Sequence, residues 1–230
     1  MNYQDIVSTT AYREYTINIH REEYAESPRT FYENLGVIYT AHRNYQPEKD
    51  FYEHFGHDEV FDKEFGIFTK SFLKEYIALS VYLYDHSGLS VNTTGFSCRW
   101  DTSRFGIIAV PVEKVLKDFN WKRITASRRM KIEAYLKEEI GIYNSYLHNE
   151  VYGYTITSEN TGGEIGCCSG YYGDQEIEYI IKECKADIDA HIRYENKHKI
   201  KGLIDSISKY GKQLLIPFSE FPDMISEPLP

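Results

Sequence analysis

The sequence predicts an α+β fold in which a mostly antiparallel, tyrosine-rich sheet is packed by two or three amphipathic helices. Three observations predict it. Short runs with two-residue alternation come in pairs joined by turn residues, longer runs carry apolar residues three to four apart, and the two kinds of run follow no regular strand-helix-strand order. The lack of regular alternation argues against a doubly wound parallel sheet.

Residues 12–20 alternate, with Tyr15, Ile17 and Ile19 on one side and Thr16, Asn18 and His20 on the other, the pattern of a strand with one buried face. Glu26-Ser27-Pro28-Arg29 breaks the alternation. Pro28 suits the first turn of a short helix capped by Ser27, and Asn34-Leu35-Gly36 reads as the end of that helix. A second strand is expected over residues 37–42. Residues 46–74 mix acidic and aromatic side chains irregularly, which predicts short helices on a loop-rich lobe.

Residues 77–84 form the clearest strand, β-branched and aromatic, ending at Asp85-His86-Ser87-Gly88; residues 89–93 return as its hairpin partner. Residues 105–110 read as a buried strand. Pro111 then starts a helix through Asn120, with Val112, Val115, Leu116 and Phe119 on one face. A longer helix begins at Thr125 or Ser127 and packs on the sheet through Ile132, Leu136, Ile140, Tyr143 and Leu147. Residues 151–157 and 164–169 flank Asn160-Thr161-Gly162-Gly163 as a second hairpin. Ile177, Ile180, Ile181, Cys184, Ile188 and Ile192 mark a last amphipathic helix, which Gly202 is expected to interrupt. One domain over residues 1–216 and an irregular, proline-bearing tail over 217–230 are expected.

A hydrophobic fraction of 42% with 27% charged residues is that of a globular chain able to bury a core. The unusual feature is 21 Tyr and 12 Phe against 2 Trp, rings that suit half-buried sheet faces and wet interfaces equally. A formal charge of -9 argues against general binding to duplex DNA. It is compatible with a protein partner bearing a basic groove, and also with plain solubility. No run reaches the roughly 18 residues needed to span a bilayer, and the first ten residues do not read as a signal peptide. Four cysteines, with Cys167 and Cys168 adjacent, predict neither a disulfide scaffold nor a metal knuckle. A reduced, cytoplasmic setting and no cofactor are expected.

Asp85, His86 and Ser87 put an acid, a base and a hydroxyl at a strand end. They are weak catalytic candidates, because side chains adjacent in sequence seldom converge, and a hairpin turn explains them equally. His54, His57 and Asp58 lie within one turn of a possible helix, a set with too few firm ligands for a divalent metal, and no metal site is predicted. Arg29, His42, Arg99 and Arg104 sit near strand ends or turns, where they would together grip an anion such as a nucleotide phosphate. Lys122, Arg123, Arg128, Arg129 and Lys131 are the densest basic cluster, a candidate nucleic-acid contact or else a face paired with Glu133, Glu138 and Glu139. Glu48, Asp50, Glu53, Asp58, Glu59, Asp62 and Glu64 form the opposite pole, a candidate contact for a basic partner. Tyr171 and Tyr172 are candidate stacking groups for a base or a partner.

Glu26-Ser27-Pro28-Arg29 with Asn34-Leu35-Gly36 and His42 resembles a pattern found in uncharacterised accessory proteins of phages and mobile elements of Gram-positive bacteria. Leu83-Tyr84-Asp85-His86-Ser87-Gly88, Phe96-Ser97-Cys98 with Trp100-Asp101, Val151-Tyr152-Gly153-Tyr154 and Gly170-Tyr171-Tyr172-Gly173 extend the resemblance. It carries no catalytic residue with it. It implies a context in which small phage proteins counter host immunity.

The expected function is therefore a phage-encoded antagonist of host defence, an inhibitor of the anti-CRISPR kind, that binds an effector protein rather than catalysing a reaction. A nucleotide-binding sponge or nucleotide-hydrolysing enzyme, with His86 as base, is the first alternative. An RNA-binding accessory protein is the second.

Overall fold

The computed structural model describes residues 5–64, 66–85, 88–97 and 102–210. Expectations placed on His86, Ser87, Arg99 and the tail over 217–230 lie outside them. The chain divides into two compact units, Met1–Ile180 and Ile181–Pro230. Among the described residues, no helix is long and apolar enough to cross a membrane.

The fold is α+β, and its strands form two sheets within the first unit. The first sheet has the order β1-β2-β8-β9, from β1 (Asp5–Tyr12), β2 (Tyr15–Arg21), β8 (Val151–Ser158) and β9 (Glu164–Tyr172). All its pairs are antiparallel. Ile17 stands opposite Ile156 and Ile19 opposite Tyr154, and all four are buried, as the alternation of β2 requires.

The second sheet has the order β4-β3-β7-β5-β6. Its strands are β3 (Val37–Thr40), β4 (Lys49–Asp50), β5 (Tyr76–Asp85), β6 (Leu89–Asn92) and β7 (Thr102–Pro111). Only the short β3–β4 pair is parallel. Both faces are covered, which explains why β7 reads as a continuous apolar run rather than an alternating one. One face meets α5 (Ala126–Leu147) in a core of Ile38, Ile108, Val110, Ile132, Leu136 and Ile140. The other meets a lobe over residues 51–76, with α2 (His57–Val60) and α3 (Phe72–Glu75), through Tyr39, Phe51, Phe61, Phe72 and Ile107.

A β-bulge settles which β7 side chain faces which layer. Val81 pairs with Gly106 but Tyr82 pairs with Arg104, leaving Phe105 as the extra residue. Ile107 and Ala109 face the lobe, while Phe105, two residues before Ile107, lies in the α5 core. Arg104 is thereby turned onto the lobe side, where its guanidinium carbon lies 4.5 Å from the Phe61 ring centroid.

Two glycines are required by close approach. A Cβ on Gly106 would stand 2.0 Å from the Tyr39 carbonyl oxygen, so β3 and β7 meet only because that side chain is missing. A Cβ on Gly36 would stand 2.4 Å from Leu136 Cδ2 and 2.9 Å from Ile108 Cγ1. Gly36 is thus a packing position under α5 and not a helix end: α1 (Pro28–Phe31) stops five residues earlier, capped by Ser27 as expected.

The remaining helices are α4 (Val112–Asp118), with Pro111 as the residue before its first turn, and α6 (Glu176–Tyr210). Gly202 does not interrupt α6. One glycine inside a 35-residue helix costs about 1 kcal/mol, too little to end it.

Candidate functional site

Arg29 is the centre of a polar cluster in the first unit. Its residue exposure is 6%. The helix that carries it is one turn long, with Pro28 supplying the fixed backbone angle and Ser27 Oγ accepting the Arg29 N–H at 3.3 Å. That turn aims the guanidinium at the junction of β3, the loop before β4, and α5. Nε donates to Glu48 Oε2 at 2.9 Å, and one terminal nitrogen donates to Asn34 Oδ1 and Glu139 Oε2, each at 3.0 Å. The other donates to the Gly36 carbonyl at 2.7 Å and lies 2.7 Å from Glu48 Oε2. A guanidinium has five N–H groups, and these five acceptor contacts account for them.

The two carboxylates also hold backbone. Glu48 accepts the Ile38 N–H at 2.8 Å, and Glu139 accepts the Leu35 N–H at 2.7 Å. Burial pushes the Glu48 carboxyl above the ordinary glutamate value; Arg29 and the Ile38 N–H oppose that shift without cancelling it. Tyr143, beside this cluster, is pushed up to about 12, chiefly by burial. The arrangement is a buried clamp joining α1, β3, the loop before β4 and α5.

The expected anion site is therefore corrected. Arg29 has no donor left for a phosphate. Arg104 lies over Phe61 and donates to the Gly66 carbonyl at 3.0 Å. His42 stacks on Tyr45 with centroids 5.0 Å apart and accepts the Asn44 N–H at Nδ1. These three groups share no partner, and Arg99 lies outside the described residues. Of the weak catalytic trio, only Asp85 is described, as the exposed last residue of β5.

The acidic run separates into two environments. Glu48 belongs to the Arg29 clamp, which removes it from the expected partner surface. Asp50 accepts the Tyr52 N–H at 2.7 Å, Glu59 accepts the Gly56 N–H at 3.1 Å, and Asp62 accepts the Glu64 N–H at 2.9 Å. Asp58 pairs with Lys63 at 2.6 Å, which holds its carboxyl below the usual range. Glu53, Asp58, Glu59, Asp62 and Glu64 all remain exposed. His57 lies 3.6 Å from Asp58, while His54 Nδ1 lies 3.1 Å from the Asp50 carbonyl. Among the described residues, no three His, Cys, Asp or Glu side chains are gathered to hold a metal.

The lobe beneath these carboxylates is an aromatic stack. Phe61 stacks on Phe51 and Phe68, Phe68 on Phe72, and Phe72 on Tyr76, with centroids 4.9 to 6.1 Å apart. Tyr52 and Ile67, each 63% exposed, stand on the outside of the same lobe.

The basic cluster is partly consumed as well. Arg128 lies 4.6 Å over Trp121 and donates to the Arg123 carbonyl. Arg129 donates to the Leu73 and Tyr76 carbonyls at 2.7 and 3.3 Å, closing the last turn of α3. Lys122, Arg123 and Lys131 are exposed. Glu139, expected as a partner of this cluster, turns instead to Arg29. Tyr172 is buried, donates to the Glu26 carbonyl at 2.9 Å, and is pushed up to about 12 by burial; it presents no stacking face to a partner. Tyr171 is half-buried against Tyr154.

Sequence reasoning missed two hollows. A slot of 230 Å³ lies between the loop over residues 44–47 and an apolar floor of Leu83, Leu89, Val91 and Phe105, smaller than the roughly 300 Å³ at which ligand pockets begin. A shallow cleft of 380 Å³ is bordered by Lys70, Leu73, Lys74, Arg129 and Glu133. Among the described residues, no Asp, Glu, His, Lys, Arg or Cys lines the slot, and the cleft sets Lys70, Lys74 and Arg129 around one carboxylate, Glu133. The slot closes over residues far apart in sequence, and no local signal announces it.

Compared with family models, curated proteins and solved structures, the chain matches none.

Proposed function

We propose that the protein acts by binding, presenting its acidic lobe to a basic protein surface of the kind that lines a nucleic-acid groove. In a bacterial host cell that chemistry fits an effector of a defence system, antagonised by a phage-encoded protein. The observation that carries the reading is the lobe itself. Exposed Glu53, Asp58, Glu59, Asp62 and Glu64 share it with exposed Tyr52 and Ile67.

Three physical arguments support the reading. Carboxylates of one sign steer and orient a cationic partner. The aromatic stack beneath fixes the backbone, so little ordering entropy is lost on docking. A tyrosine and an isoleucine within the charged field supply the apolar anchors that dominate interface energetics.

The test is co-elution with purified nucleic-acid-binding defence effectors, comparing wild type with a Glu53→Lys, Glu64→Lys variant. A complex that weakens with salt, and is lost in a variant of unchanged melting temperature, is expected. Absence of any complex, or a complex indifferent to the two reversals, would sink the reading.

A further inference from the structure

Sheet edges expose unpaired backbone groups, and three of the four edges here are either short or engaged by a side chain at one point among the described residues. β4 is two residues long. In β6 the Val91 N–H donates to Asn144 Oδ1 at 2.8 Å. In β9 the Gly170 carbonyl accepts the Tyr32 hydroxyl at 3.0 Å. The fourth edge, β1, is eight residues long and pairs with β2 on one side only. Ile6 and Val7 are 56% and 42% exposed. Between Asp5 and Arg13 the strand reads Ile-Val-Ser-Thr-Thr-Ala-Tyr, with no charge and no proline, two of the devices that protect an edge; a third, a local irregularity, is confined to its start between Ile6 and Ser8.

We propose that β1 pairs antiparallel with β1 of a second copy about a two-fold axis at Thr9, joining two four-stranded sheets into one of eight. The sequence is self-complementary in that register. Thr9 meets Thr9 and Ser8 meets Thr10, hydroxyl pairs of the kind that stabilise neighbouring strands, and Val7 meets Ala11. A parallel in-register pairing would instead set Asp5 beside Asp5. The irregularity between Ile6 and Ser8 bends the strand end, so Ser8, Thr9 and Thr10 carry the ladder. A single strand pair buries less than the roughly 1,200 Å² of a standard interface, so the dimer forms at high chain concentration. With a charge of -9 on each copy, salt strengthens the association by screening repulsion.

Sedimentation velocity over a wide concentration range, at low and high salt, tests the proposal. Wild type should dimerise with concentration, more so in salt. Thr9→Lys, which sets two like charges on the axis, should weaken the dimer severalfold while its melting temperature stays unchanged. Thr9→Cys should give a disulfide-linked dimer on mild oxidation, faster than wild type, whose exposed Cys167 and Cys168 are the control. A wild-type chain that stays monomeric throughout overturns the proposal. So does a dimer that Thr9→Lys leaves intact, or a Thr9→Cys chain that cross-links no faster than wild type.

Discussion

Arg29 and Glu48 meet at 2.7 Å in a site where the arginine side chain is fully buried, and Glu139 closes the far side of the same guanidinium at 3.0 Å. One cation thus holds two carboxylates, and the clamp keeps one negative charge more than it neutralises.

Arg29→Ala leaves both carboxylates facing each other without a counter-charge. Breaking a buried pair from one side costs about 3 to 5 kcal/mol, and a loss in that range is expected in urea unfolding. Adding Glu48→Gln and Glu139→Gln to Arg29→Met should recover part of it. A loss below about 1 kcal/mol, the worth of a surface pair, would show that the clamp is solvated.

The raised Glu48 carboxyl sets a pH dependence of defined sign. A group whose folded value exceeds its unfolded value favours the fold fully below the unfolded value, and that contribution fades as pH rises through the folded one. Wild-type stability relative to Glu48→Gln should therefore be greatest in acid and shrink as pH climbs out of the ordinary glutamate range. Chemical denaturation of both chains across that interval checks it; a gap that widens instead would mean that attraction to Arg29 outweighs desolvation.

Tyr143 and Tyr172, both pushed up to about 12, extend the argument to alkali. Their contribution is complete below about pH 10, where an unperturbed tyrosine titrates, and is lost as pH rises toward 12. Tyrosinate absorbance should show these two rings ionising last, together with unfolding. A Tyr143→Phe, Tyr172→Phe chain should lose less stability over that window than wild type.

Gly106→Ala should cost at least about 3 kcal/mol, the upper range for an overpacked core, because its Cβ would meet the fixed Tyr39 carbonyl. Gly36→Ala meets the Leu136 and Ile108 side chains, which can shift, and should cost less. Urea midpoints of the two variants give the comparison; equal losses would mean that β3 moves away from β7 without difficulty.

Local signals account for much of the fold. The β5–β6 and β8–β9 hairpins follow from alternation around turn residues, and α5 from the stripe of Ile132, Leu136, Ile140 and Tyr143. β1 was not legible, because Asp5–Tyr12 is largely exposed and lacks the apolar periodicity that marks a half-buried strand. The face taken by Arg104 was hidden as well: parity along β7 puts it with Ile108, and only the bulge at Phe105 reverses that. At the candidate site, the exposed carboxylates of the lobe were visible as a charge run. Glu48 was indistinguishable within that run, since its burial depends on Arg29, 19 residues earlier, and on β3. Arg29 itself read as an anion-gripping group because one of its two carboxylate partners lies 110 residues away.

That separation bears on the order of events at the ribosome. Every strand of the second sheet emerges before Glu139 does, so a chain that ends short of it can offer Arg29 only one of the two carboxylates. The sheet is then complete in sequence but uncovered on one face. Its final closure waits for the long helix that brings both the apolar stripe and the missing acid, and a chain halted before that point stays open at the guanidinium.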